Sequence, residues 1–289
     1  MTVTPERMLE AWADEPAIDA KAERRRLPFK VWVGTVIVAI YVLIAVFAPA
    51  LAPYDPLALH PLNALASPTW AHLLGTDELG RDVLSRLIFA ARVDLLVGFL
   101  GAMLPALIGT FLGALAAYHG RWLDTGVMRT ADIVQAFPAY ILILALVFAL
   151  GQGVVSILVA FSITGWIVYA RLIRSEILRV RGLDYVQAAR AAGLPDRRIL
   201  WLHIAPNTLG QTLVYLPSDI VFATLGLAAL SFLGLGVRPP TPEWGAMIAA
   251  GQPYIRDQWW LSTVPGLIVV GFGLGLSLIG EGLEAWLRR

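Results

Sequence analysis

The chain has no cysteine and almost no lysine: among 289 residues, Lys21 and Lys30 are the only lysines. Without cysteine there are no disulfides, thiolate metal sites or cysteine nucleophiles. With both lysines near the N-terminus, a phosphate-binding loop of the Gly-x-x-x-x-Gly-Lys-Ser/Thr type cannot exist, so ATP hydrolysis, if the protein depends on it, belongs to another chain. Histidine is scarce too. His60, His72, His119 and His203 have no second histidine at ligand spacing, so no metal site is expected. Paired acids, histidine pairs and a nucleophile with its base are missing from the apolar segments, which removes the footing for a membrane-embedded enzyme, a catalytic residue or a cofactor. Charge is thin throughout, at 15% of residues against roughly 25% in soluble domains. The net charge of +1 carries no footprint of a nucleic-acid partner.

What the chain does have is long apolar runs, 58% of it being hydrophobic. A bilayer core is about 30 Å thick and takes about 20 apolar residues to cross as a helix. Segments 31–51 and 95–118 are charge-free and long enough. Segment 133–170 is charge-free for 38 residues, too long for one span, and Gly151-Gln152-Gly153 marks a turn in its middle. It divides into spans at 133–150 and 154–170. Segment 213–235 is apolar except for Asp219, and 261–280 is the sixth span. Ala48-Pro49-Ala50 has the small-residue look of a signal-peptide cleavage site. The run before it is longer than an ordinary signal h-region and is itself preceded by 30 residues, so it reads as a span.

Cationic residues resist translocation and collect on the cytoplasmic side. With a cytoplasmic N-terminus, only Arg81, Arg86, Arg92, Arg238 and Arg256 fall outside, and the other 17 Lys and Arg fall inside. Both termini are therefore expected in the cytoplasm. The organisation is a tail at 1–30, whose Arg24, Arg25, Arg26 and Lys30 suit an anionic membrane surface, and a transmembrane domain at 31–289. The domain has one large inner loop at 171–210.

That loop reads Asp184-Tyr-Val-Gln187-Ala188-Ala189-Arg190-Ala-Ala-Gly193-Leu-Pro195-Asp196. Asp184 suits an N-cap, and Gln187 three residues later completes a capping-box pattern. Gly193 suits the left-handed residue that closes a helix, with Pro195 blocking continuation. Asp196 suits the cap of a second helix, leading through His203 to Pro206. Alanines give the first helix high propensity and a small, smooth surface that fits a groove on a partner. From spacing alone it is equally a surface helix joining two spans.

Residues 187–206 resemble the signature loop of ABC importer permeases, in which Glu-Ala-Ala precedes a Gly and, further on, a Leu-Pro pair. Here Gln187-Ala188-Ala189, Gly193, His203 and Ala205-Pro206 hold those places, with Gln187 replacing Glu and Ala205 replacing Leu. The resemblance implies a helix that docks on an ATPase subunit, with Gln187, Ala188, Ala189, Arg190, Gly193, His203 and Pro206 as the coupling residues. The external stretch Gly75-Thr76-Asp77-Glu78-Leu79-Gly80-Arg81-Asp82-Val83-Leu84-Ser85-Arg86 is similar to that of dipeptide and oligopeptide permease C subunits. So are Leu230-Ser231-Phe232-Leu233-Gly234-Leu235-Gly236 and Pro239-Pro240-Thr241-Pro242-Glu243-Trp244-Gly245. By its own spacing, the first stretch reads as a solvated helix with i,i+4 pairs Asp77–Arg81 and Asp82–Arg86, or as a contact surface.

The resemblance implies an all-α, six-span type I importer permease in a bacterial cytoplasmic (inner) membrane. Its implied partners are a second homologous permease, two ATP-binding subunits, an extracytoplasmic substrate-binding protein and a peptide. Nickel and glutathione permeases share these motifs. A self-contained secondary transporter would require internal repeats and ionisable sites near the midplane; no repeat is evident, and Asp219 is the clear acid. Asp219 either meets a peptide's amino group in a water-filled path or sits at the interface without a special role. Pro217 frees a backbone carbonyl beside it. Other members of the family often have Glu at the place of Leu227.

Overall fold

The computed structural model describes residues 27–287, and among them the secondary structure is helical. The helices are α1 (Phe29–Val46), α2 (Val83–His119), α3 (Arg121–Gln135), α4 (Ala139–Leu150), α5 (Val154–Val180), α6 (Asp184–Ala191), α7 (Ala205–Phe232), α8 (Trp244–Gly251) and α9 (Trp260–Leu287). Helices α1, α2, α5, α7 and α9 are long and apolar enough to cross a membrane. Helices α3 and α4, bent by 87° at their junction, count as a sixth crossing when the pair is taken as one span. The 1–30 tail lies outside the described residues except for its last four.

The helices overrun the charge-free windows. Helix α2 begins at Val83 and α5 continues to Val180. On α5 the arginines beyond the charge-free window find carboxylate partners. Arg174 grips the Asp124 carboxylate with two nitrogens, and Arg171 reaches Asp132 at 2.8 Å. Both pairs tie α3 obliquely across α5. The third span is broken rather than straight. Pro138 has no N–H to donate and disfavours helical backbone at Phe137, so the chain turns there. Helix α4 has 12 residues, about 18 Å of rise, too short to cross alone. Gly151 and Gly153 take φ of +86° and +140° at the turn into α5, where a side chain would be strained.

The most extensive contact is between α2 and α5. It is possible because α2 presents Gly101, Gly109 and Gly113 to α5. A Cβ at Gly109 would strike the Trp166 carbonyl oxygen, and one at Gly113 the Ala170 carbonyl oxygen. In lipid, apolar surface alone does not drive helices together, and small residues allow the close packing that does. A second seam joins α1 to α9, where a Cβ on Gly34 would lie 2.5 Å from the Gly275 carbonyl oxygen.

The segment 76–86 is not a solvated helix. Gly75 and Gly80 take left-handed φ of +69° and +76°, which interrupts any helix before Val83. Asp82 caps α2 instead, accepting from the Ser85 backbone N–H at 2.8 Å and hydroxyl at 2.7 Å, and it pairs with His72 rather than Arg86. Asp77 does pair with Arg81, at 2.7 Å, but within a loop, and Arg86 also turns to Asp77, at 3.3 Å. Asp77, Arg81, Asp82 and Arg86 are buried. The knot fastens the long loop between α1 and α2 to the start of α2.

Replacing Gly109 by Val puts branched carbon against a backbone carbonyl that cannot step aside. Overpacking of this kind costs on the order of 1–3 kcal/mol. The unfolding temperature of the purified protein in detergent should fall accordingly; an unchanged melting curve would mean that α2 and α5 do not touch at this seam.

Candidate functional site

Two regions carry the residues singled out by sequence. The first is the α5–α7 connection. Helix α6 closes as expected: Gly193 takes φ of +77°. The Leu194 N–H donates to the Ala189 carbonyl at 3.2 Å, and the Gly193 N–H to that of Arg190 at 3.0 Å. This is the two-bond closure that requires a left-handed residue. Its start differs from the expected capping box. Leu183 is the N-cap, with no side-chain cap bond, and Asp184 is the first helical residue. The Gln187 amide turns back to donate to the Arg181 carbonyl at 3.1 Å. The Asp184-to-Gln187 spacing thus lies one position inside the helix, where the acid still opposes the helix dipole favourably.

Helix α6 buries Val186 completely and Ala189 partly, leaving Gln187, Ala188 and Arg190 on its outer face. Val186 joins Ala117 of α2, Ile173, Ile177 and Val180 of α5, and Ile199 and Ile204 leading into α7. One apolar cluster therefore links α6 to two membrane helices and to the chain entering a third. After Pro195 the chain forms a helical turn at Asp196–Ile199 and a wider π-helical turn at Leu200–Ile204, then enters α7. His203 lies in the wide turn, and Pro206 in the first turn of α7, where a missing N–H costs nothing. From Asp196 the helical backbone runs without a break through the wide turn into α7, as the second helix expected to lead through His203 to Pro206.

The second region is a cleft of about 210 Å³ between α2, α4, α5 and α7. Asp219 lines it from α7, well inside the helix, together with Phe222, Thr164 of α5 and Tyr140 at the start of α4. Ala139 and Tyr140, the first residues after the break before α4, line this same cleft. Asp219 is half-buried and accepts a hydrogen bond from the Tyr169 hydroxyl at 2.9 Å. Tyr169 is fully buried and packs edge-on against Tyr215, with ring centres 5.3 Å apart. One Asp219 oxygen is thus held by the protein. Leu227 is buried in the core, so it does not line the cleft.

Sequence reasoning passed over one polar site. Asp94 of α2 and Glu243 at the start of α8 are both fully buried. Asp94 accepts from the Trp244 N–H at 3.0 Å, and Glu243 accepts from the N–H groups of Gly245 and Ala246 at 2.6 and 2.8 Å. Glutamate is not among the preferred N-cap residues, and that oddity in Pro-Glu-Trp-Gly was the available signal.

Residues 109–289 match the family of binding-protein-dependent transport system inner membrane components, and residues 31–68 match the N-terminal transmembrane domain of oligopeptide transport permease C. The chain is 38% identical over 252 residues to the dipeptide transport system permease protein DppC of Alkalihalophilus pseudofirmus, covering 87% of this chain and 83% of that protein. It is 39% identical to the di/tripeptide transport system permease protein DppC of Pseudomonas aeruginosa, with 87% and 85% covered. It is 36% identical to the oligopeptide transport system permease protein OppC of Bacillus subtilis, with 87% and 83% covered. Among solved structures, the inward-facing MetNI methionine ABC transporter shares the fold, with a TM-score of 0.56 at 17% identity, covering 70% of this chain and 96% of that one.

Proposed function

Since the chain belongs to the family of binding-protein-dependent transport system inner membrane components, we propose that it is a permease subunit of an ATP-driven peptide importer and forms half of its translocation path. It is a multi-pass protein of the bacterial cytoplasmic membrane. The peptide substrate is carried by similarity over most of the chain to dipeptide and oligopeptide permeases. Both termini and α6 face the cytoplasm, in keeping with the distribution of Lys and Arg.

The coupling role rests on one observation: α6 shows its small-residue face outward while Val186 anchors it to α2, α5 and the chain entering α7. Closure of two ATP-binding subunits draws α6 with it. Because protein interiors are close-packed, the displacement passes through the Val186 cluster rather than being absorbed in it. Helix α7 then shifts and changes the cleft that Asp219 lines. A loaded binding protein delivers the peptide at the opposite face, a second homologous permease completes the path, and hydrolysis resets the helices. Within the cleft, the carboxylate of Asp219 meets the ammonium group of the passing peptide.

The test is dipeptide uptake by the purified complex in proteoliposomes. Uptake should require ATP and the ATP-binding subunits; uptake by this chain alone, without ATP, would replace the importer with a secondary transporter. In that assay Gly193→Val should insert and accumulate normally yet lose transport severalfold, because the left-handed cap costs a branched residue on the order of 1–2 kcal/mol. Full uptake by this variant would contradict the coupling role. Asp219→Asn should lower uptake about tenfold or more, the worth of one charge-assisted hydrogen bond; uptake at the original rate would remove Asp219 from the path.

A further inference from the structure

Helix α3 lies crosswise among its neighbours. It is bent by 87° from α4. Its Asp124 pairs with Arg174 of α5 and its Asp132 with Arg171, so eight residues of α3 pass over three residues of α5. At the helical rise that is about 12 Å against about 4.5 Å, and α3 therefore runs steeply across α5. It crosses where the charge-free run of α5 ends at Ala170, on the side that the Lys and Arg distribution gives to the cytoplasm. Gly120 and Arg121, with φ of +61° and +49°, turn the chain into it from the end of α2.

The two long faces of α3 differ. On one, Ala131 is buried, and Val127, Met128 and Val134 pack beside it against Leu112 of α2 and Trp166, Ile167 and Ala170 of α5. The other is bare. Trp122, Gly126, Arg129 and Ile133 share a stripe at intervals of four, three and four residues. Trp122 is 81% exposed and Ile133 66%, Arg121 and Arg129 are exposed, and a Cβ on Gly126 would meet nothing within 4 Å. Asp124 and Asp132 hold the arginines of α5, whereas neither Arg121 nor Arg129 is in an ion pair among the described residues. Such a face fits neither bulk phase. Water penalises a bare tryptophan and isoleucine on one face, and hydrocarbon penalises a bare guanidinium. The headgroup layer accepts both, with the indole at its apolar boundary and the cations among its phosphates. The exposed apolar surface also continues without a charge through Phe137 to Ile141 and Phe148 of α4.

We propose that α3 is an interfacial helix that binds acidic phospholipid of the cytoplasmic leaflet, with the guanidinium groups of Arg121 and Arg129 on lipid phosphates and Trp122 and Ile133 among the upper acyl carbons. A guanidinium presents a planar fork that matches phosphate oxygens. Because both ion pairs fasten α3 to α5, and α5 runs on to Val180 shortly before α6, the lipid sets the depth at which the end of α5 sits. It is then a footing against which α6 moves. That consequence rests on the coupling reading; the lipid contact itself does not.

The test uses the purified complex in lipid bilayers, with Gly126→Cys as the only cysteine of this chain and the other subunits made cysteine-free. A nitroxide on that cysteine should collide more often with oxygen than with a water-soluble nickel chelate and report a depth near the phosphate layer. A label reached by the chelate alone, or shielded from both because another protein chain covers α3, would overturn the proposal. With a bimane dye at the same position, raising the fraction of phosphatidylglycerol in phosphatidylcholine should shift the emission along a saturating curve. The fraction at half-response should rise about fivefold in Arg121→Gln and in Arg129→Gln. No response to phosphatidylglycerol, or the same curve in both variants as in the original, would equally overturn it. Ile133→Cys carries the labels if Gly126→Cys does not accumulate. Neither readout uses ATP or peptide, so failure of lipid binding and failure of ATP-driven uptake are seen separately.

Discussion

The approach of α2 to α5 is the contact on which the other placements depend. In hydrocarbon no water can satisfy a stray backbone group, so each span must close its own hydrogen bonds as a helix. Association between helices then falls to close packing. Gly109 and Gly113 let α2 meet the backbone carbonyls of Trp166 and Ala170 directly. Two helices held at that distance form a post. The short helix α4 leans on α5 through the turn at Gly151 and Gly153, and α7 lies against both α2 and α5.

From this post the rest follows as a set of attachments at its two ends. At one end, the buried Asp77–Arg81–Arg86 knot and the Asp82 cap fix the loop that precedes α2. Glu243 and Trp244 fix the loop that follows α7 at the same end. At the other end, Val186 seats α6 among residues of α2, α5 and the entrance to α7. Between the ends, α7 carries Asp219 along a cleft that the start of α4 also lines. A helix pinned at one end and pushed at the other changes what lies in its middle, and this is the mechanical content of the coupling reading.

The parts legible in the sequence were those set by local chemistry. Charge-free runs marked the membrane helices, and Gly193 followed by Pro195 marked a left-handed helix end. The errors arose where a spacing admits two geometries or a partner is remote. Asp82 and Arg86 at i,i+4 suit a helical ion pair, but an aspartate ahead of an apolar run also suits an N-cap, and Gly80 decides for the cap. Asp184 and Gln187 match a capping box, yet the cap falls one residue earlier, at Leu183, and Asp184 is already helical. Arg171 and Arg174 close the charge-free run, and the continuation of α5 past them was hidden because the carboxylates of Asp132 and Asp124 that hold them lie on another helix. Asp94 and Glu243 were out of reach for the same reason: neither local pattern announces the contact of Asp94 with the Trp244 N–H.

The central claim is that α6 passes the motion of an ATP-binding subunit to the membrane helices. The chain has no native cysteine, so Ala188→Cys provides a unique attachment point on the exposed face of α6. A photo-crosslinker placed there in the transport-active complex should join this chain to an ATP-binding subunit, with a yield that changes on adding ATP. A complex that transports peptide while the Ala188 probe reaches only lipid or solvent would contradict the account.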